Sequence, residues 1–149
     1  MSAYLRFALA LVVGIATGII IMITIQHFYS FQPPPGVDYA SGKPYNAWVA
    51  SLDDRAYVFM LVSFLAASLA GGLVCRLIAP APAPFPLELI VGFVLLFYSV
   101  VTFQAAPTPP WLTYVSSPGC MIFAWLGGWV GRRLRAGHHV TTTARRNTT

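Results

Sequence analysis

Between Phe7 and Ile25 lie nineteen consecutive residues without one charged side chain. A run of that length, once helical, is enough to cross the hydrocarbon core of a bilayer. The chain repeats the pattern three more times, and proline-rich stretches that no helix can cross part the runs. These are Pro33-Pro34-Pro35-Gly36, the segment from Ala79 to Pro86, and Ala106 to Pro110. The sequence therefore predicts an all-α membrane protein with four transmembrane helices, at about 4–29, 54–78, 87–105 and 111–132. They would form one domain over 1–135, with an outer loop at 30–53 and a mobile basic tail at 136–149.

Composition agrees. Only 9% of the 149 residues are charged and 57% are hydrophobic, where soluble domains carry about 25% charged residues. A cleaved signal peptide is the competing reading of the first run. Its apolar core would be shorter, and Gln26-His27-Phe28-Tyr29 is no small-x-small cleavage site. We expect an uncleaved helix.

Arginine and lysine set the orientation. With the N-terminus inside, the inner side holds Arg6, Arg76, Arg132, Arg133, Arg135, Arg145 and Arg146, and the outer side only Lys43 and Arg55. Both termini are expected in the cytoplasm. Membrane topology accounts for the basic tail, so we expect no nucleic-acid partner.

Two stretches match: Gly71-Gly72-Leu73-Val74-Cys75-Arg76 and Gly127-Gly128-Trp129-Val130-Gly131-Arg132. Both read Gly-Gly-x-Val-x-Arg at the end of an apolar run. The first and third runs are also alike, since Val13-Gly14 precedes Gln26 at the spacing by which Val91-Gly92 precedes Gln104. Together these suggest a duplicated helical hairpin, a parallel repeat about an axis along the membrane normal. Small residues at four-residue spacing let backbones approach in lipid. The expected packing positions are Gly14, Gly18, Ala67, Gly71, Gly72, Ala124 and Gly128. Helix two has the densest such stripe and should be central. Gly42 lies outside every predicted helix and should tolerate a larger residue.

In the outer loop, Tyr39, Tyr45 and Trp48 suit the headgroup level. A short interfacial helix is expected near Tyr45–Ala50, and Ser51 with Asp54 resembles a capping box for helix two. Pro118-Gly119 should kink helix four.

Few residues could carry chemistry. Thr24, Gln26, His27, Thr102, Gln104, Ser116 and Ser117 fall near the outer surface. They could pair between helices or line a small polar pocket, in which His27 would be the group that titrates near neutral pH. Glu88 is the one inner-side acid. It is read as a helix N-terminal acid that can pair with Arg76 across the turn, with a coupling carboxylate as the functional alternative. Cys75 and Cys120 lie far apart and form no Cys-x-x-Cys pair, and His138-His139 is isolated, so no metal is expected. Bis-histidine haem ligation, His-Glu-x-x-His and a serine nucleophile with a base partner are all missing, so no catalytic residues or cofactors are expected.

The first reading of function is an accessory subunit, assembly factor or scaffold. It would offer Gly/Ala/Ser helix faces to other membrane subunits or to itself within the bilayer. The alternative is a small oligomeric transporter or channel. Four-helix bacterial multidrug transporters are similar in size, but they carry a buried glutamate in their first helix and this chain does not. The run His27-Phe28-Tyr29, then Pro33-Pro34-Pro35-Gly36-Val37-Asp38, then Ala70-Gly71-Gly72 resembles a pattern in small uncharacterised bacterial integral membrane proteins. That resemblance spans the first half of the chain. It implies a four-helix protein of the bacterial inner membrane.

Overall fold

The computed structural model describes residues 3–28, 34–37, 42–80, 86–105 and 107–146, with side chains through Ala136. Among them the protein is all-helical. The elements are α1 (Ala3–Phe28), α2 (Lys43–Ala50), α3 (Asp54–Ile78), α4 (Leu87–Ala105) and α5 (Pro110–Arg146).

Local chemistry sets most of the boundaries. Pro34-Pro35-Gly36-Val37 turns the chain after α1. The Val37 amide donates to the Pro34 carbonyl at 3.0 Å, and Gly36 takes the φ of 86° that the third position of such a turn requires. The α3 cap is Asp53, not the expected Ser51–Asp54 box. Its carboxylate accepts from the Ala56 amide at 3.0 Å, while the Ser51 hydroxyl donates back to the Trp48 carbonyl at 2.7 Å. Asp53 wins because it immediately precedes the first helical residue, so its side chain reaches the orphan amide of the first turn. α4 follows Pro86 and α5 begins on Pro110, the position where a missing N–H costs nothing.

α5 holds Pro118 inside one helical span and runs on to Arg146. The sequence reading ended that helix at 132. Tyr29, Pro33 and Tyr39 lie outside the described residues, as do the side chains of His138, His139, Arg145 and Arg146.

Three helices, α1, α3 and α4, are long and apolar enough to cross a membrane. This is a membrane protein by that measure. α5 falls short on composition, since Ser116, Ser117, Pro118, Gly119, Gly127 and Gly128 dilute its apolar content. It nonetheless packs along both α3 and α4.

The order of contacts gives the layout. α3 and α4 each pack against the other three long helices, and α3 does so most extensively, so it is central. Among the described residues α1 and α5 do not pack together. α1 runs antiparallel to α3 and α4 antiparallel to α5, whereas α3 and α5 run parallel, with Leu65 beside Gly119 at one end and Arg76 beside Gly131 at the other. Gly14 meets Gly71 and Gly18 meets Ala67 between α1 and α3. Glu88 meets Arg132 and Ser99 meets Ser116 between α4 and α5.

These contacts are close because the residues are small. At Gly14 and Gly71 the carbonyl oxygen of each lies 2.8–2.9 Å from where the other's Cβ would be. Gly72 lies on the Ala124 carbonyl, and Gly127 on the backbone of Leu69 and Leu73. The two Gly-Gly-x-Val-x-Arg copies therefore face each other across α3 and α5. Lipid is as apolar as leucine, so near approach of backbones is what holds such helices together.

Two expectations change. The small-residue faces were to be offered to partners, but Gly14, Gly18, Ala67, Gly71, Gly72 and Ala124 are buried within the chain's own bundle. The hairpins are also packed differently. Gly14 lies on Gly71 and Cys75, whereas its counterpart Gly92 lies on Cys120 and Ala124. Under the repeat those contacts would fall on Gly127 and Gly131, which instead face α3.

Away from the glycines the core is conventional. Phe64 sits edge-on to Phe103 at 5.2 Å, and Val91, Leu95 and Leu112 are buried in the same core. The Tyr57 hydroxyl donates to the Val49 carbonyl at 2.8 Å and ties α2 to the start of α3. Outside, Val12, Ile20, Phe93, Phe97 and Ile122 are exposed, as a lipid-facing surface requires.

Gly72→Leu and Gly127→Leu should each lower stability in detergent by about 1–3 kcal/mol or more, because backbone rather than a movable side chain fills the space. Val101→Leu, on the exposed face of α4, should leave the thermal midpoint unchanged. Gly42 is not the neutral reference that the sequence suggests, since its φ of 65° strains any larger residue. Equal midpoints for all three variants would remove the close-approach account.

Candidate functional site

Two groups of polar residues were singled out from sequence. The structure treats them differently.

The outer group does not assemble into one pocket. Gln26 reaches from the end of α1 and donates to the Ser63 hydroxyl at 3.1 Å. Ser63 in turn donates to the Met60 carbonyl at 2.7 Å. Ser116 faces Ser99 at 3.5 Å between α5 and α4, and Ser117 donates to the Thr113 carbonyl one turn back. Thr24 and Thr102 donate to the Ile20 and Tyr98 carbonyls of their own helices, at 2.7 and 2.8 Å. His27 and Gln104 are exposed. Thr102 also lines a cleft of about 340 Å³ with Tyr45, Asn46 and Tyr98, between α2 and α4. These residues satisfy themselves in separate pairs and back-bonds, as hydroxyls in helices can.

The inner group converges. α4 opens with Leu87-Glu88 directly after Pro86, which puts Glu88 in the first turn, where helix amides favour an anion. Its side chain is fully buried (0% exposed), yet Arg132 of α5 hydrogen-bonds its Oε1. Arg76 of α3 lies 4.0 Å from its Oε2. Oε2 accepts no hydrogen bond from the described residues. The arginines are 16% and 36% exposed at their side chains, so both keep contact with the surroundings while the carboxylate does not.

Arg135 completes the arrangement. Its guanidinium donates to the carbonyls of Arg76 at 3.1 Å and Ala79 at 2.5 Å. Those carbonyls end α3 and would otherwise be orphaned. One turn of α5 thus supplies a cation to Glu88 and a cap to α3. The expected Arg76–Glu88 pair is present, but Arg132 is the closer partner.

Gly128 has a different role from the helix-packing one expected of it. A Cβ there would strike Cγ, Cδ and Oε1 of Glu88, not a neighbouring backbone. Gly128 is the slot into which the carboxylate fits, and Gly127 is the residue that meets α3. The sequence reading named Gly127 only as part of the repeated motif and used Arg132 and Arg135 only for orientation, so it missed their places in this cluster. The signal was in the motif itself: Gly128 and Arg132 are four residues apart, hence on one face of the helix, with the slot one turn below the cation.

A buried carboxylate is costly unless it is paired and hydrogen-bonded. With both cations on other helices, Glu88 fixes the end of α3, the start of α4 and the Arg132 turn of α5 relative to one another. Chemically the cluster can hold an ion pair. Among the described residues there is no group of three metal-ligating side chains.

No protein-family model, curated protein or solved structure matches this chain.

Gln26→Leu should cost about 0.6–1.7 kcal/mol, the range for interhelical hydrogen bonds in membranes. Gln104→Leu should cost nothing measurable, since Gln104 is exposed. Thermal unfolding in one detergent reads both. Matching losses would show that the two glutamines are equivalent after all, as the repeat requires.

Proposed function

We propose that this chain is a small non-catalytic integral membrane protein that serves as an accessory subunit, assembly factor or scaffold in a larger membrane complex. The observation that carries this reading is the closed interior. Backbone contacts at Gly14, Gly71, Gly72 and Gly127 fill the space between helices, and Glu88 is held between two arginines. A bundle that spends its small residues on itself meets other subunits through its outer faces, where Phe93, Phe97, Val12 and Ile20 stand exposed.

In this reading α5 is the fourth spanning helix. Its length and its packing along α3 and α4 support that place, and so do the outward Val115, Ile122, Trp125 and Trp129. Arginine distribution supports cytoplasmic termini. The resemblance of the first half to small bacterial membrane proteins supports the inner membrane as location. Ancestral duplication of a hairpin accounts for the twin Gly-Gly-x-Val-x-Arg stretches, with the packing of each half diverging later. Partners are lipid and other membrane proteins or further copies, not nucleic acid.

A small oligomeric transporter is the second reading, and one observation favours it. Glu88 Oε2 is buried without a hydrogen-bond donor, and intramembrane carboxylates with spare capacity serve as coupling groups in transport. Burial at a helix N-terminus beside two arginines fits a clamp better, because coupling groups sit nearer the midplane.

Extraction in a mild detergent, then native-gel separation and mass spectrometry, decides between the two. Co-migration with a larger complex in fixed ratio is the expected result. A lone monomer or small homo-oligomer would overturn the accessory reading and turn attention to flux assays with Glu88 variants.

A further inference from the structure

The charge on the bundle is lopsided. At the end where α3 finishes, Arg76 and Arg132 face Glu88, Arg135 caps α3 and Arg133 lies over Trp129, so four cations share that end with one carboxylate among the described residues. Four positive charges less one negative leave +3. Arg6, exposed near the start of α1, adds to the same end. Among the described residues the opposite rim carries Lys43 and Arg55 against Asp53 and Asp54, which cancel.

Three of the four clustered arginines have work inside the protein. Arg76 and Arg132 face Glu88, and Arg135 caps α3. Arg133 does not. It is exposed, and no described residue accepts a hydrogen bond from it or pairs with its charge. Its guanidinium lies over the Trp129 ring at 3.9 Å. Trp129 is itself partly exposed, on the same face of α5 one turn earlier. An indole at a membrane interface settles at headgroup depth. Stacking on it holds the arginine flat, with its fork of donors free at the edge. That fork matches a phosphate geometrically.

We infer that Trp129 and Arg133 form a binding site for the phosphodiester headgroup of an anionic phospholipid, reinforced by the net positive charge of the surrounding arginines. The inference rests on α5 standing in the bilayer. The tryptophan sets the depth, Arg133 takes the phosphate oxygens, and Arg76 and Arg132 supply field without leaving Glu88. A zwitterionic lipid offers the same phosphate but carries a compensating cation, so it gains less.

The test uses the full chain with Trp48, Trp111 and Trp125 changed to phenylalanine, so that Trp129 alone fluoresces. It is placed in phosphatidylcholine vesicles containing a fixed fraction of acyl-brominated phosphatidylglycerol or acyl-brominated phosphatidylcholine. Bromine quenches the indole it touches. One arginine near a charged headgroup should raise local occupancy about fivefold, so the anionic lipid should quench correspondingly better. Arg133→Gln should bring the two lipids close to parity, whereas Arg55→Gln at the other rim should change nothing. Equal quenching by both lipids in the parent would overturn the site while leaving α5 in the membrane. Quenching by neither would place α5 outside the bilayer and overturn both ideas. Loss of the anionic preference on adding inorganic phosphate would show a soluble-anion site and overturn the lipid assignment. Should the phenylalanine variant fail to fold, native mass spectrometry of the unaltered chain and its Arg133→Gln variant asks the same question. Phosphatidylglycerol should be retained over phosphatidylcholine only in the former, and equal retention in both overturns the site.

Discussion

A carboxylate with no access to solvent has to be paid for by its neighbours, and in this protein those neighbours sit on two other helices. Glu88 of α4 is reached by Arg132 of α5 and approached by Arg76 of α3. Leaving such a group unpaired costs several kcal/mol, so these parts of the three helices converge or the charge is lost. Once they converge, the depth of each helix is set. The register of everything further along α3, α4 and α5 follows from that point.

That register matters because lipid gives the helices little hydrophobic reason to associate. What holds them is the distance of approach. Gly14 on Gly71, Gly72 on Ala124 and Gly127 on Leu69 are contacts that a shift of one residue would turn into collisions. The ion cluster and the glycine contacts thus depend on each other. Gly128 joins them most directly, since the room it leaves is filled by the Glu88 side chain.

Much of this could be read from the sequence. Hydropathy and proline placement gave the helices to within a few residues at most ends, because each is a strong local signal. The end of α5 was the exception, as polar residues after Arg135 carry no periodicity to mark a helix. Small-residue stripes showed which faces pack, but not against what, since one stripe can serve a neighbour in the chain or a separate subunit. Only three-dimensional packing separates Gly127, which meets backbone, from Gly128, which meets a carboxylate. The Arg76–Glu88 pair was visible because a short turn joins the two residues. Arg132 lies forty-four positions from Glu88, and no local pattern connects them. The outer polar residues share a depth, which left both pairing between helices and a pocket open. Depth does not fix the direction of a side chain around its helix, so the partners were not legible, and the pairs that form are Gln26–Ser63 and Ser99–Ser116.

The closed bundle, the internal use of small residues and the clamp at one end all support a structural role in the membrane. The most direct test of that account is a double-mutant cycle on the clamp: unfolding free energies of the parent, Glu88→Gln, Arg132→Gln and the double variant, in one detergent. The account predicts that the singles are clearly destabilised and that the two changes couple by about 2 kcal/mol, within the range for contacting buried charges. Additivity to within about 0.5 kcal/mol, the behaviour of independent sites, would mean that Glu88 and Arg132 do not hold each other and that the bundle is fixed by something else.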